Sequence, residues 1–161
     1  AERQFSDILG LDVSVTSLEL ASRRLRLDRL PERQRKRITL AQGALTYRDK
    51  RIEGYDAAAL VEVVEHLDAD RLPSLERVVF EFARPDLVVV TSPSREYNAR
   101  FEGLAPGTLR HADHRFEWTR DEFQAWARPV ADRFGYKLRF EGLGPEDAEL
   151  GAPSQMAVFE K

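Results

Sequence analysis

The 161-residue sequence contains no cysteine, which excludes disulfides, thiolate zinc sites and cysteine nucleophiles. Any metal site must therefore use oxygen and imidazole ligands. The sequence also lacks an apolar run near the roughly 20 residues that a membrane-spanning helix needs, and its N-terminus has no basic region followed by an apolar one. We therefore expect no membrane association. Together with the reducing compartment that the absence of cysteine favours, this predicts a cytoplasmic protein.

An excess of positive charge is also absent, since the formal net charge is −3. The whole chain therefore exerts no general attraction on nucleic acid, and any RNA contact needs a local group of basic residues. Hydrophobic residues make up 42% and charged residues 33%, without a low-complexity tract or an interdomain linker. This composition predicts a single globular domain over residues 1–161.

Short apolar runs alternate with helical patterns along most of the chain. The predicted strands are 6–13, 38–45, 55–64 and 86–92. Three helices are predicted: one directly after residue 13, one over 71–82 and one over 119–134. The run 86–92 (DLVVVTS) is typical of a strand buried on both faces. Two last strands, 136–143 and 155–159, are expected to pair in antiparallel fashion at the sheet edge. The alternation predicts an open α/β sheet, mostly parallel with an antiparallel edge.

A segment at about 92–118 connects a predicted strand and helix through 20 or more polar, aromatic and glycine residues. Connections of that length in compact domains usually carry function. Thr119 and Glu122 form a capping-box pattern that predicts where the following helix begins. The segment is therefore predicted to be an active-site insertion.

The strongest local pattern is Glu62-x-x-Glu65-His66, at the end of the third apolar run. In a helical turn, residues three and four apart share one face, so these side chains are able to converge. Two neighbouring carboxylates repel, and a divalent cation would remove the repulsion. Glutamate and imidazole ligands suit Mn²⁺, or Mg²⁺ with less affinity for imidazole. The alternative is an exposed helix start whose acids favour the helix dipole.

A second pattern is His111-x-Asp113-His114, so all three histidines of the chain lie in these two segments. If the insertion folds over the strand ends, one of its histidines supplies a further ligand. The alternative is a polar loop with hydrogen-bonded histidines, in which Phe116 and Trp118 anchor the loop to the core. For Trp118 we favour the anchoring role.

An acidic residue, Asp12, ends the first predicted strand, where nucleotide-binding α/β folds place a carboxylate that accepts hydrogen bonds from ribose hydroxyls. Asp-x-Ser is equally an ordinary helix N-cap. Gly43, after the second strand, either lets the backbone approach an adenine or marks a bulge. The candidate cofactor-binding residues are Asp12, Val13, Ser14, Gln42, Gly43 and Ala44.

Arginines interleaved with aromatic residues mark the insertion, as expected for phosphate contacts and base stacking at a single-stranded RNA end. A solvated arginine face is the alternative. A second basic cluster, Arg33 to Arg37 (RQRKR), is interpreted as a solvated turn rather than an RNA-binding patch. The candidate RNA-binding residues are Arg95, Arg110 and Arg115.

Four segments together resemble the Hen family, which methylates the terminal ribose of small RNAs in eukaryotes and of repaired RNA ends in bacteria. They are LDVS (11–14), EVVEHLD (62–68), SPSREYN (92–98) and LRHADHRFEWTRDEF (109–123). The resemblance covers nearly the whole chain, and RHADHRFEW is similar to the bacterial RNA-repair branch. It implies a Rossmann-like class I S-adenosylmethionine-dependent methyltransferase sheet.

The resemblance also implies residue roles. The metal ligands fall on Glu62, Glu65, His66 and His114, and the ribose-binding acid falls on Asp12. The expected activity is metal-dependent transfer of a methyl group from S-adenosylmethionine to the 2′-hydroxyl of the 3′-terminal ribose of RNA, single-stranded or repaired. His66 or His111 is the candidate catalytic base. An RNA end-healing kinase-phosphatase and ligase protein is the expected partner.

The chain departs from the family at its start, because the family's first strand and glycine-rich loop have no counterpart after Ala1. We therefore expect the methyltransferase domain to be incomplete at its N-terminus, with a gap in the middle of the sheet. Two other functions remain open: a small-molecule S-adenosylmethionine-dependent methyltransferase, and a non-catalytic metal- or RNA-binding fragment.

Overall fold

The structure is a computed structural model that describes residues 5–105 and 107–161. Its N-terminal part is a β-α-β unit, as the apolar pattern predicts. Ser14 follows the first strand and caps the next helix, because its side chain accepts a hydrogen bond from the backbone N–H of Ser17. The elements are β1 (Ile8–Asp12), α1 (Val15–Leu25), a 3₁₀ turn (Leu27–Arg29), α2 (Glu32–Arg35) and β2 (Ile38–Gln42).

The remaining described residues contain four strands and two longer helical segments. The strands are β3 (Ala57–Val61), β4 (Leu87–Pro93), β5 (Lys137–Leu143) and β6 (Ser154–Glu160). The helices are α3 (Leu72–Glu76), which continues as a π-helix (Arg77–Ala83), and α4 (Arg120–Phe134). Short 3₁₀ turns lie at Lys50–Ile52, Val64–His66, Ala69–Arg71 and Arg95–Arg100.

The strands form two sheets, one of β1 and β2 and one in the order β3-β4-β6-β5. Both consecutive pairs, β1 with β2 and β3 with β4, are parallel, whereas β6 pairs in antiparallel fashion with β4 and β5. The predicted parallel strands and antiparallel edge are therefore confirmed. The strand at the antiparallel edge is β5, because β6 lies between β4 and β5.

The hydrophobic core lies around β4, whose Val88 and Val90 are fully buried, as the unbroken apolar run predicts. Phe80 of the π-helix packs on Phe159 of β6, with ring centroids 4.8 Å apart. Trp118 contacts this core and stacks on Trp126 of α4 at 5.2 Å, which confirms its predicted anchoring role. The end of the insertion is thereby fixed to the sheet.

The capping box at the start of α4 is present, since Thr119 and Glu122 exchange side-chain-to-backbone hydrogen bonds. Gly135 ends the helix in a left-handed conformation with φ of 75°. Both ends of α4 therefore lie where the sequence predicts them. Among the described residues, no helix combines the length and the apolar character needed to cross a membrane.

Candidate metal centre and methyl-acceptor site

Glu65 is a buried acid with no hydrogen-bond donor. It lies in the 3₁₀ turn directly after β3, its side chain is 0% exposed, and both its carboxylate oxygens lack a partner among the described residues. Burial, together with the negative charges of Glu62 and Glu117, raises the pKa of Glu65 to about 7. A carboxylate is costly to bury unless a cation or donor compensates it, so this position fits a metal ligand.

Two histidines converge on Glu65. One potential ligand atom from each of Glu65, His66 and His114 lies within 4.8 Å of the others, and the two imidazole centroids are 4.9 Å apart. The insertion is tied to this turn, because Arg115 N–H donates to the carbonyl of Glu65 at 2.7 Å. Three of the four predicted metal ligands therefore come together.

The fourth predicted ligand, Glu62, lies outside this group of three. Its Oε1 accepts a hydrogen bond from the hydroxyl of Thr91 at 2.9 Å, and Thr91 also accepts from the backbone N–H of Glu62. Glu62 does not share a helical turn with Glu65 and His66, since Glu62 adopts a left-handed φ of 52° before the 3₁₀ turn begins. A non-glycine residue is strained there, and such strain is characteristic of functional sites.

His114 is oriented by a second buried glutamate, Glu117, which is 1% exposed. The Nδ1 of His114 lies 2.6 Å from Glu117 Oε1, so Nε2 is left as the nitrogen available to a metal. Although burial opposes ionisation, hydrogen bonds from Asn98, the backbone of Arg110 and His114 lower the pKa of Glu117. Glu117 therefore remains a carboxylate that fixes the ring of His114.

Arg110 supports the Glu117–His114 pair indirectly, through hydrogen bonds to its neighbours. Its Nε donates to Asn98 Oδ1 at 2.5 Å, while its two terminal nitrogens donate to the carbonyls of Pro153 and Ser94. The guanidinium also lies over the ring of Phe101, and burial lowers the pKa of Arg110. This geometry favours an internal, structural role for Arg110 over the phosphate contact predicted from the sequence.

The other predicted RNA and catalytic residues are more accessible. Arg95 pairs with Glu122 and Arg115 lies 3.5 Å from Asp68, and both guanidinium groups are about half exposed or more. His111 is exposed, and its ring centroid lies 5.7 Å from that of His114 and 6.4 Å from that of His66. The three histidines therefore form one cluster.

The candidate cofactor residues meet at the carboxyl ends of β1 and β2. Asp12 is paired with Gln42 in the ladder, its Oδ1 accepts from Ser14 N–H at 2.7 Å, and the amide of Gln42 donates to the carbonyl of Val13. A Cβ on Gly43 would lie 2.7 Å from a methyl carbon of Leu11, so a larger residue there would have to displace the Leu11 side chain. Ala44 begins the following turn, since its carbonyl accepts from Tyr47 N–H.

No protein-family model matches this chain. A solved structure, the methyltransferase domain of bacterial CtHen1, is 53% identical to it with a TM-score of 0.88, covering 99% of this chain and 80% of that one. The chain belongs to the Hen1 family of small RNA 2′-O-methyltransferases. Its resemblance to the family, first carried by four sequence segments, is thereby confirmed.

More distant relatives extend this comparison. The small RNA 2′-O-methyltransferase of Rattus norvegicus is 41% identical over 127 residues, which are 77% of this chain and 32% of that protein. The Hen1 chain thus spans about a third of the length of such curated relatives. Magnesium protoporphyrin IX methyltransferase from Synechocystis has a TM-score of 0.68 at 13% identity, covers 99% of this chain and 66% of that one, and shares the fold alone.

Sequence reasoning missed Glu117 and Asn98 in this Hen1 site. Glu117 lies within the segment 109–123, but nothing in a single sequence shows that a charged residue is 1% exposed. The spacing offered one signal, since residues three apart in a turn are able to meet. Asn98, which donates to Glu117 Oε2 at 2.5 Å, is 19 positions away and carried no signal.

We expect Glu117→Gln to weaken Mn²⁺ binding by about 10- to 100-fold, because a neutral amide oxygen would hold the ring of His114 less firmly and make it a weaker ligand than the carboxylate does. Titration calorimetry with Mn²⁺ measures the affinity. Glu96→Gln is a matched control, since Glu96 lies in the same insertion and accepts hydrogen bonds from Ser94 and Arg120, and it contacts no histidine in the part of the chain that the structure describes. Equal Mn²⁺ affinity in wild type and Glu117→Gln would remove Glu117 from the centre.

Proposed function

We propose that this chain is the methyltransferase domain of an RNA 3′-terminal ribose 2′-O-methyltransferase that uses S-adenosylmethionine and a divalent cation. The domain would cover residues 1–161, with the insertion at about 92–118 supplying the acceptor side. The observation that carries the proposal is buried Glu65, whose two unpaired oxygens lie beside His66 and His114. Membership of the Hen1 family supports the RNA acceptor.

The donor set suits Mn²⁺ best, because it combines carboxylate oxygen with two imidazole nitrogens and contains no thiolate. Mg²⁺ is the second candidate, since it accepts imidazole less readily. Glu62 stays the proposed fourth ligand, and its Oε2 has no hydrogen bond to Thr91. A bound cation would polarise the terminal ribose hydroxyls and lower their pKa.

The chain's own residues would align the acceptor and receive its proton. His66 faces the carbonyl of Asp113 through Nδ1 at 3.3 Å, which leaves its other nitrogen for the cation, so His111 is our candidate base. The Nδ1 of His111 accepts from Asp113 N–H at 3.3 Å. With Nδ1 as the acceptor, the neutral ring carries its proton on Nε2. For Nε2 to accept a proton, the ring must first change to the tautomer protonated at Nδ1, which breaks the hydrogen bond from Asp113.

S-adenosylmethionine would bind at the edge formed by the six residues from Asp12 to Ala44 named above, with the Asp12 carboxylate accepting from its ribose. Asp12→Asn keeps an oxygen for Ser14 N–H but loses the charge, so we expect cofactor affinity to fall about tenfold. Calorimetry with the cofactor checks this, with Asp28→Asn in the 3₁₀ turn after α1, where the side chain is exposed, as control. Unchanged affinity would exclude Asp12 from the site.

The acceptor itself is tested with three RNAs that differ only at the terminal ribose. We expect methylation of the 2′,3′-diol and none of the 3′-phosphate or the 2′-deoxy end. A 3′-phosphate would remove a hydroxyl that could bind the cation, and the 2′-deoxy end lacks the oxygen that accepts the methyl group. Transfer of a labelled methyl group measures this. Efficient methylation of the 3′-phosphate RNA would contradict the proposal, and transfer to small molecules in its place would favour the alternative methyltransferase.

A role in RNA repair and a partnership with an end-healing kinase-phosphatase and ligase protein remain predictions from the sequence resemblance. They would require the acceptor to be a cleaved RNA whose 3′ end carries both hydroxyls. Binding of this protein to such a partner, measured with purified components, tests the association directly.

A further inference from the structure

Positive charge is concentrated far from the insertion. Residues 23–37 (RRLRLDRLPERQRKR) contain eight basic and two acidic residues, a net charge of +6, in a chain whose total is −3. Residues 92–118, the proposed acceptor insertion, contain four basic and four acidic residues and are neutral overall. An electrostatic attraction for phosphates would therefore be strongest at residues 23–37.

These cations are exposed along one continuous stretch of the chain. The stretch runs from the last turn of α1 through the 3₁₀ turn and α2 to the start of β2. Its exposed basic side chains, which we call the basic surface, are Arg23, Arg24, Arg26, Arg29, Arg33, Arg35 and Lys36. The basic surface ends just before Ile38, so it lies about 16 Å, one five-residue strand, from the edge that holds Asp12.

Four of these cations have no competing partner. The side chains of Arg24, Arg26, Arg33 and Arg35 form no ion pair or hydrogen bond that the described part of the chain supplies. Arginines of the insertion, in contrast, already face carboxylates: Arg95 contacts Glu122, Arg100 contacts Asp147 and Glu149, and Arg115 contacts Asp68. The uncommitted charge is therefore on the basic surface.

We propose that the basic surface binds the phosphodiester backbone of RNA upstream of the 3′ end. This inference rests on the proposed function and replaces our interpretation of RQRKR as a solvated turn. Binding of phosphates by exposed arginines releases counterions, so it is independent of base sequence and weakens steeply with salt. It would increase the affinity for long acceptors without changing the chemistry at the terminal ribose.

The test is a quadruple variant, Arg24→Gln with Arg26→Gln, Arg33→Gln and Arg35→Gln, whose folding is checked by circular dichroism. All four side chains are exposed, and glutamine suits the three sites that lie in helices. Acceptors of about 4 and about 16 nucleotides separate end recognition from backbone binding. With the long acceptor we expect KM to rise about tenfold. The slope of log Kd against log salt concentration should fall by about 3, because each of four lost phosphate contacts contributes about 0.7. With the short acceptor, KM and kcat should stay at wild-type values.

A charge-matched control replaces four exposed cations by glutamine in the helices and the strand that belong to the four-stranded part of the fold. They are Arg77, Arg128, Lys137 and Arg139. This control should leave KM unchanged for both RNAs. If wild type methylates both RNAs and the quadruple variant keeps its KM and salt dependence, the basic surface does not bind RNA, whether or not it binds an acidic protein. If wild type methylates neither RNA, the proposed function itself fails.

Discussion

Glu65→Gln is expected to lower methyl transfer at least about 100-fold while stabilising the metal-free protein relative to wild type as pH rises. Loss of activity follows because the amide cannot supply the anionic oxygen that a cation at this site requires. The same carboxylate destabilises the folded protein when no cation is bound, since both its oxygens are buried and unpaired. Replacement of a residue with a purely structural role would not lower activity and raise stability together.

The pH dependence has a definite sign. Glu65 has a folded pKa of about 7, above its ordinary 4.5, so the folded metal-free protein binds the proton more tightly than the unfolded chain does. This contribution to the free energy of unfolding is complete below 4.5 and is lost as pH rises through 7. Relative to Glu65→Gln, wild type should lose roughly 3 kcal/mol across that window, measurable by urea unfolding.

Glu76→Gln is the matched control, because Glu76 is also a buried glutamate but has donors. Its oxygens accept from Trp126 Nε1 at 3.0 Å and from Arg133 at 3.4 Å. This variant should lose stability and retain methyl transfer, the reverse of Glu65→Gln. Full activity of Glu65→Gln would contradict the proposed centre.

Removal of divalent cations by a chelator is expected to reduce methyl transfer by at least about 100-fold, and added Mn²⁺ should restore it. Mg²⁺ should restore less, because two of the three clustered ligands are imidazoles. Methyl transfer is followed with a labelled cofactor on an RNA that ends in a 2′,3′-diol. His114→Ala, which removes one of these imidazoles, should not be rescued by Mn²⁺ at the concentration that restores wild type.

Retention of full activity in the chelated protein would instead indicate a methyltransferase that positions its acceptor without metal. Cofactor binding is the control, since it should be similar before and after chelation. That comparison separates loss of the metal centre from loss of the fold.

Local patterns predicted much of the fold. The β-branched run of β4, the capping box of α4 and Gly135 each act through residues close in sequence, so their effects are visible without the structure. The separation of the strands into two sheets is different, because it depends on ladders between segments far apart in the chain. The return of β6 between β4 and β5 is non-local for the same reason.

Residue types predicted the chemistry of the site better than its geometry. Glu65, His66 and His114 come together as expected, whereas the left-handed backbone of Glu62 and its hydrogen bond to Thr91 were not predictable from spacing. The environment of Arg110 was also not predictable from the sequence. Its place among other arginines suggests phosphate binding, whereas its half-buried guanidinium donates to two protein carbonyls.

Titration calorimetry of the protein with Mn²⁺, repeated on Glu65→Gln, tests the proposed centre most directly. We expect a single saturable site in wild type, with binding weakened by about 100-fold or more in the variant and in wild type below the pKa of Glu65. Saturable binding that is equally tight in wild type and Glu65→Gln would contradict it.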